Sequence, residues 1–305
     1  MNTKSPNTNK VRLLYIGGFS RCGSTILSNI LGEVEGFFNA GELMYIWDRM
    51  VSEDGICGCG SHVNNCEVWS KVLDEAFGPD RQVDCKKMIE LRNSEWQSRK
   101  IPFWLSLRHS REKLTSNLKV YLSNLSKLYS TFGSKIPERV IIDSSKNPAY
   151  LYMLSTLAEL DLYVVHIVRD SRANAYSWLS KKEGFTQVSS WRSAVSWNGR
   201  NLMLDLLGRQ LGERYMRLKY EDLVVDPGRA VNSIVDLVGE EQKPWPFINN
   251  DEVDLGENHC VYGNPDLFKT GKTKLRLDER WKAMRKRDKI ITSALTWPLM
   301  SRFGY

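Results

Sequence analysis

The stretch Gly18-Phe-Ser-Arg21-Cys22-Gly23-Ser24-Thr25 has residue types and spacing that point directly to chemistry. Gly18-x4-Gly23 followed by Ser24-Thr25 keeps the spacing of a phosphate-binding loop, G-x4-G-K-S/T, but Ser24 stands where that pattern has lysine. The lysine normally reaches the β- and γ-phosphates of a nucleoside triphosphate, so its absence argues against an ordinary ATPase or kinase. The cation in this loop is Arg21 instead. A second group follows the apolar run Leu162–Val168: Arg169-Asp170-Ser-Arg172, then Ser177 eight residues after Arg169, and Lys181 one turn further along the same helix face. An arginine at a strand end and two groups on the next helix can converge on one phosphate. The plainer reading is that Arg169 pairs with Asp170 or Asp143 as a structural contact.

The elements that must position these residues follow from hydrophobic periodicity. Leu13-Leu14-Tyr15-Ile16 reads as a buried strand within about 11–18, and Ile26, Leu27, Ile30, Leu31 and Val34 recur at helical spacing after the loop. A loop between strand and helix offers backbone N–H groups at a helix N-terminus, a ready anion site. Residues 41–52 read as helical, and Val140-Ile141-Ile142 as a short strand ending at Asp143. Residues 162–168 form the clearest buried strand, with helices expected at 171–182, 188–207 and 228–239 and a strand at 215–220. The order implies an α/β fold with a central parallel sheet, in which ligands bind beyond the carboxyl ends of the strands. Residues 1–10 read as a disordered tail and 11–305 as one domain. It carries a helical insertion at about 84–132, broken near Ile101-Pro102, and a Pro/Gly-rich closing loop at about 241–275.

Taken together, these segments resemble the sulfotransferases that use 3′-phosphoadenosine 5′-phosphosulfate (PAPS). The resemblance runs from about residue 12 to at least 226, with three motifs in family order, and in motif style it is nearest the tyrosylprotein and carbohydrate branches. It implies a P-loop-like three-layer fold in which Arg21, Cys22, Gly23, Ser24 and Thr25 bind the 5′-phosphosulfate. Arg169, Ser177 and the neighbouring Lys181 would hold the 3′-phosphate, and Tyr220 of Tyr220-Glu-Asp-Leu would lie near the adenine. Gly41-Glu42 resembles the Gly-Glu pair whose glutamate deprotonates the acceptor in the tyrosylprotein branch. The alternative is a glutamate placed at a helix N-terminus by the macrodipole. Lys146, in Asp143-Ser-Ser-Lys146-Asn-Pro148, takes the place of a lysine that stabilises the transferring group; otherwise it is an ordinary loop lysine. The segment from His259 through Gly263-Asn264-Pro265 to Lys269, Gly271, Lys272 and Trp281 resembles the loop that closes over the 3′-phosphate, with Lys272 as the expected contact. PAPS would be the co-substrate and no metal is expected, because a singly charged sulfonate needs less neutralisation than a γ-phosphate. Catalysis would then rest on positioning and charge stabilisation, with Arg21 beside the bridging oxygen.

The composition is compatible with this reading. The chain has 305 residues, 42% of them hydrophobic, and a formal net charge of +7, which suits anionic ligands but equally a basic soluble surface. The basic run Lys282-Ala-Met-Arg285-Lys286-Arg287 is flanked by Asp278, Glu279 and Asp288 with no recognised binding module, so nucleic acid is not expected. The run at 13–16 is too short for a signal peptide and no stretch has membrane-spanning length, so a cytoplasmic protein without membrane insertion is expected. Cys57-Gly-Cys59-x6-Cys66 encloses His62. A tight loop of buried or oxidisable cysteines is favoured over a disulfide or a metal site, because zinc usually takes paired C-x2-4-C spacing. Cys85 and Cys260 read as packing residues, as do Trp191 and Trp197 on one helix. The rivals to a sulfotransferase are a nucleotide or small-molecule kinase with a degenerate loop and a non-catalytic nucleotide-binding module. The acceptor would be a hydroxyl on a small molecule or a carbohydrate. Its identity and the oligomeric state are not legible.

Overall fold

Strand β1, Val11–Gly17, is fully buried from Leu13 onward because it has a strand on each side and helices over both faces. The computed structural model describes residues 10–95, 116–180 and 187–305. After β1 come α1 (Ser24–Gly32), the three-residue strand β2 (Phe37–Asn39), and a short 3-10 turn leading into α2 (Ile46–Val51). Helices α3 (Glu67–Phe77), α4 (Cys85–Glu95) and α5 (Ser116–Lys135) precede β3 (Val140–Lys146). Then follow α6 (Pro148–Ser155), β4 (Leu160–Val168), α7 (Ser171–Leu179), α8 (Ser190–Leu211), β5 (Tyr215–Lys219), α9 (Tyr220–Val225) and α10 (Pro227–Leu237). A small antiparallel sheet of β6 (Ile248–Asn249), β7 (Glu252–Leu255) and β8 (Gly271–Lys274), and a long helix α11 (Lys286–Arg302), complete the chain.

The main sheet is parallel throughout, in the order β2-β3-β1-β4-β5. The period of two along β1 sends Leu13 and Tyr15 into one core with residues of α5 and α6. Leu14 and Ile16 face the opposite core with α1 and α10. This is a three-layer α/β fold. Each fully buried aliphatic side chain contributes roughly 1.5–3 kcal/mol, so the strands are fixed in register by their own side chains. The helices after β3 and β4 start abruptly because their first N–H groups are capped by side chains. Asn147 accepts from the Ala149 amide at 2.8 Å ahead of Pro148, and Asp170 accepts from the Arg172 amide at 2.8 Å.

Several elements differ from the sequence reading. Strand β3 does not stop at Asp143 but continues to Lys146. The Asp143 carboxylate is satisfied inside the sheet, accepting from Tyr129 Oη at 2.6 Å and the Ser145 amide at 2.9 Å. β2 and α3 went unread, and residues 241–275 carry the antiparallel sheet rather than loop alone. Trp197 is buried, but Trp191 is half exposed, because positions six apart do not share a helix face. All six cysteines are free thiols, and Cys57, Cys59 and Cys66 gather with His259, not with His62. Most of the expected tail, the break at Ile101-Pro102 and Lys181 lie outside the described residues.

Candidate active site

Each of the five parallel strands delivers a candidate site residue at or just past its carboxyl end. Arg21 follows β1, Glu42 follows β2, Lys146 is the last residue of β3, Arg169 follows β4, and Tyr220 follows β5. All five line one cleft of about 500 Å³. It opens where the chain switches from the β2/β3 side of β1 to the β4/β5 side, the usual ligand crevice of an open α/β sheet.

The loop after β1 is built by its glycines. Gly23 caps α1 with φ 95°, and a Cβ on it would meet the Tyr220 ring at 2.3 Å. Only glycine satisfies both the left-handed backbone and the ring lying against it. Ser24 and Thr25 then begin α1, with Ser20, Arg21, Gly23, Ser24 and Thr25 lining the cleft. The Cys22 side chain turns into the core, so this residue has only its backbone to offer a ligand. Arg21 is itself left-handed, φ 66°, and its guanidinium stacks on Trp178 at 4.9 Å.

Glu42 and Lys146 form a buried ion pair, Nζ to Oε1 2.5 Å, with exposures of 9% and 8%. Lys146 also donates to Ser144 O at 2.9 Å, from a backbone with φ 62°. Burial pushes the Glu42 carboxyl above its ordinary value, while the charges of Lys146 and Arg200 pull against that shift. Its backbone is held by the C-terminal strap, since the Glu42 amide donates to Tyr262 O at 2.9 Å. Gly41 must be glycine, with φ 76° and a Cβ position 2.8 Å from that same carbonyl.

Across the cleft, Arg169 donates to Arg21 O at 3.1 Å, lies over the Tyr220 ring at 4.8 Å, and faces Asp278 at 3.5 Å. Asp170 and Asp143 are not its partners. Asp170 pairs with Arg172, and Asp143 is held by Tyr129 and Ser145. Ser177 on α7 lines the same cleft. Lys272 does not. It is exposed on β8, while Thr273, Lys274, Leu275 and Arg276 line the cleft together with Lys269. Tyr45, Trp178 and Tyr262 also line it and went unread: Tyr45 and Tyr262 lie in short or irregular segments that give no periodic signal, and Trp178, on α7, carries no motif that marks it. His166 is excluded as a base by its surroundings. It is fully buried, with Nε2 donating to Asn201 Oδ1 at 2.9 Å and Nδ1 accepting from Tyr215 Oη at 2.9 Å, and burial pushes it down to about 4.

A phosphate-type loop without its lysine, on a five-stranded parallel sheet with cations at the strand ends, defines a P-loop-like group-transfer fold. More particularly, the chain belongs to the sulfotransferase family, whose profile matches residues 14–244. The sulfotransferase domain from the curacin biosynthetic pathway superposes with a TM-score of 0.51 at 15% identity, over 94% of this chain and 96% of that one. The sulfotransferase domain from the Synechococcus PCC 7002 olefin synthase is 18% identical with a TM-score of 0.48, over 99% of this chain and 98% of that one. At such identities the likeness concerns the fold alone. No curated protein matches the chain in sequence. Among the described residues, no helix is long and apolar enough to cross a membrane.

Proposed function

We propose that this protein moves the sulfuryl group of PAPS to the hydroxyl of a small-molecule or carbohydrate acceptor. The observation that carries the reading is one cleft with a buried carboxylate–lysine pair on one side and Arg169 with Ser177 on the other. A loop lacking the triphosphate lysine lies between them. The backbone amides at the start of α1, with Ser24 and Thr25, suit the 5′-phosphosulfate, and Arg169 with Ser177 suits the 3′-phosphate. Tyr220 offers a ring face to the adenine. Lys269, Lys274 and Arg276 are better candidates than Lys272 for closing contacts.

Glu42 accepts the acceptor's hydroxyl proton as the new oxygen–sulfur bond forms. A carboxyl raised by burial is a stronger base, and Lys146 keeps it ionised enough to act. Lys146 also faces the oxygens of the transferring group. The bond from sulfur to the bridging phosphate oxygen breaks, and Arg21 balances the charge left on that oxygen electrostatically, since guanidinium does not give up its proton. The product nucleotide is 3′-phosphoadenosine 5′-phosphate (PAP). No metal is assigned to these steps. A cytoplasmic setting belongs to the same reading.

The test is ligand discrimination followed by turnover. At a hundredfold excess over Kd, PAP should stabilise the protein by about 2.7 kcal/mol without added metal, and 5′-AMP far less. Arg169→Ala should erase that difference while the ligand-free chain stays folded. Equal shifts with AMP and PAP, or a larger one with ATP and Mg²⁺, would favour the kinase reading. PAP binding without turnover of labelled PAPS across an acceptor panel would leave a nucleotide-binding module.

A further inference from the structure

Away from the cleft, three thiols and one imidazole converge from segments far apart in sequence. The ligand atoms of Cys57, Cys59, Cys66 and His259 all lie within 4.8 Å of one another. We propose that this cluster is a structural zinc site of Cys3His type. Cys59 Sγ lies 3.7 Å from Cys66 Sγ, and Cys66 Sγ lies 3.3 Å from His259 Nδ1. A tetrahedral zinc with usual bond lengths has sulfur–sulfur edges of about 3.8 Å and sulfur–nitrogen edges of about 3.5 Å. The separations match those edges and greatly exceed a disulfide bond of about 2.05 Å.

The backbone around the cluster is shaped to aim the ligands inward. Gly60, with φ 83°, turns the chain so that its amide donates to Cys57 O at 2.9 Å and the Cys57 amide to Ser61 O at 2.8 Å. Cys66 is the N-cap of the eleven-residue helix α3, where the helix dipole favours a thiolate. Trp69 on that helix donates Nε1 to His259 O at 2.6 Å, and the Gly58 amide donates to Cys260 O at 2.9 Å. Both contacts hold the histidine-bearing segment against the cysteine loop without help from an ion. His62, though inside the loop, is occupied elsewhere. Its Nδ1 accepts from the Asn64 amide at 3.1 Å and its Nε2 lies 2.9 Å from Ser52 O.

Three cysteines bound as thiolates and a neutral imidazole would release the thiol protons on metal uptake and leave a site of net charge −1. The ion would staple the cysteine loop to residues 257–263. That strap continues through Val261, whose amide donates to Ala40 O at 3.0 Å, to Tyr262, which accepts from the Glu42 amide. Zinc is therefore a brace for the segment that positions Glu42, and does not touch the reacting atoms.

The experiment measures metal in the full chain purified under reducing conditions. Elemental analysis should find about one zinc per chain. Replacement by Co²⁺ should give the visible absorption of a tetrahedral, thiolate-rich site. Cys66→Ser and His259→Ala should lose the zinc, while His62→Ala keeps it. Chelation of the wild-type protein should lower its melting temperature, with Zn²⁺ restoring it. If the variants fail to fold, the wild-type zinc content and Co²⁺ spectrum still decide. A reduced wild-type chain that carries no zinc and gives no thiolate–Co²⁺ band overturns the site. So does zinc retained by both Cys66→Ser and His259→Ala, or a Cys59–Cys66 disulfide in the native chain.

Discussion

Replacing Glu42 by Gln removes the only proton-accepting group of the Glu42–Lys146 pair while keeping an oxygen for the Lys146 ammonium. Loss of a general base costs on the order of 10²–10⁴ in turnover, or about 2.7–5.5 kcal/mol of barrier. The same change leaves Lys146 buried without its counter-charge, and breaking a buried pair by removing one partner costs up to about 3–5 kcal/mol of stability. Retained contacts to the glutamine oxygen and to Ser144 O, at 2.9 Å in the native chain, should hold the loss below that limit. The stability cost is read in the double variant Glu42→Gln/Lys146→Met, which should recover melting temperature while staying inactive, having lost both groups; the base role itself is read from the pH profile of the single variant. PAP affinity should move by less than a few-fold in Glu42→Gln, since Arg169 and Ser177 are untouched. The pH profile of kcat/KM supplies the reading that a structural role would not alter. Because burial raises the Glu42 carboxyl, the wild-type acid limb should lie above the ordinary glutamate range, activity falling as the pH drops through it. That limb should vanish in Glu42→Gln. Normal turnover in the variant, or activity restored along with stability in the double variant, would refute the assignment.

Arg21→Ala should lower turnover on the order of 10²–10³, as for other donors at a developing charge, while Arg21→Lys keeps part of the activity; a wild-type rate for Arg21→Ala would remove its role. Asp278→Asn should tighten PAP binding a few-fold in calorimetry, because it removes the carboxylate that faces Arg169 at 3.5 Å in the free protein. His166→Gln should alter the acid dependence of stability. Burial lowers His166 from 6.5 to about 4, so its contribution is full above the unfolded value and is lost as pH falls toward 4. The stability gap between wild type and variant should therefore shrink by up to about 3 kcal/mol between those pH values in urea melts. The gap is the useful quantity, because Asp143, raised by burial from 3.8 to about 6, stabilises the fold on acidification and offsets His166 in the wild type.

Legibility in the sequence followed length and periodicity. β1, α1 and β4 are long, apolar and bounded by a glycine loop or a polar cap, so Arg21 and Arg169 could be put at strand ends. β2 has only Phe37–Asn39, too short to show alternation between Gly36 and Gly41. Asp143 looked like a strand terminus because a carboxylate inside a sheet is costly, and hydrogen bonds from Tyr129 and Ser145 make it tolerable. Lys272 shows how a loosely aligned segment can miss by a residue or two along the chain. Its neighbours Thr273 and Lys274 line the cleft and Lys272 does not, a small alignment error that sequence alone does not correct. The Glu42–Lys146 pair spans 104 residues and the Cys66–His259 contact 193, so the nearer His62 was the histidine seen beside the cysteines.

The pairing of charges along the cleft explains how a basic site can stay ordered before a ligand arrives. Lys146 is held by Glu42, Arg169 faces Asp278, Lys269 pairs with Asp266 at 2.7 Å, and Lys274 with Asp251 at 2.9 Å. Arg21 rests on the Trp178 ring. On the proposed reading, an entering dianionic phosphate would compete with Asp278 for Arg169, which would lower affinity but reject ligands too weakly charged to win. A nucleotide without a 3′-phosphate has nothing to offer Arg169 and leaves that contact intact. On the other side, in the proposed mechanism, a sulfonate oxygen drawing on Lys146 would loosen its hold on Glu42 and so strengthen the carboxylate as a base. Donor binding and base activation would thereby be coupled through one ammonium group. Acceptor deprotonation would then be effective only when the sulfuryl group is present to receive the oxygen.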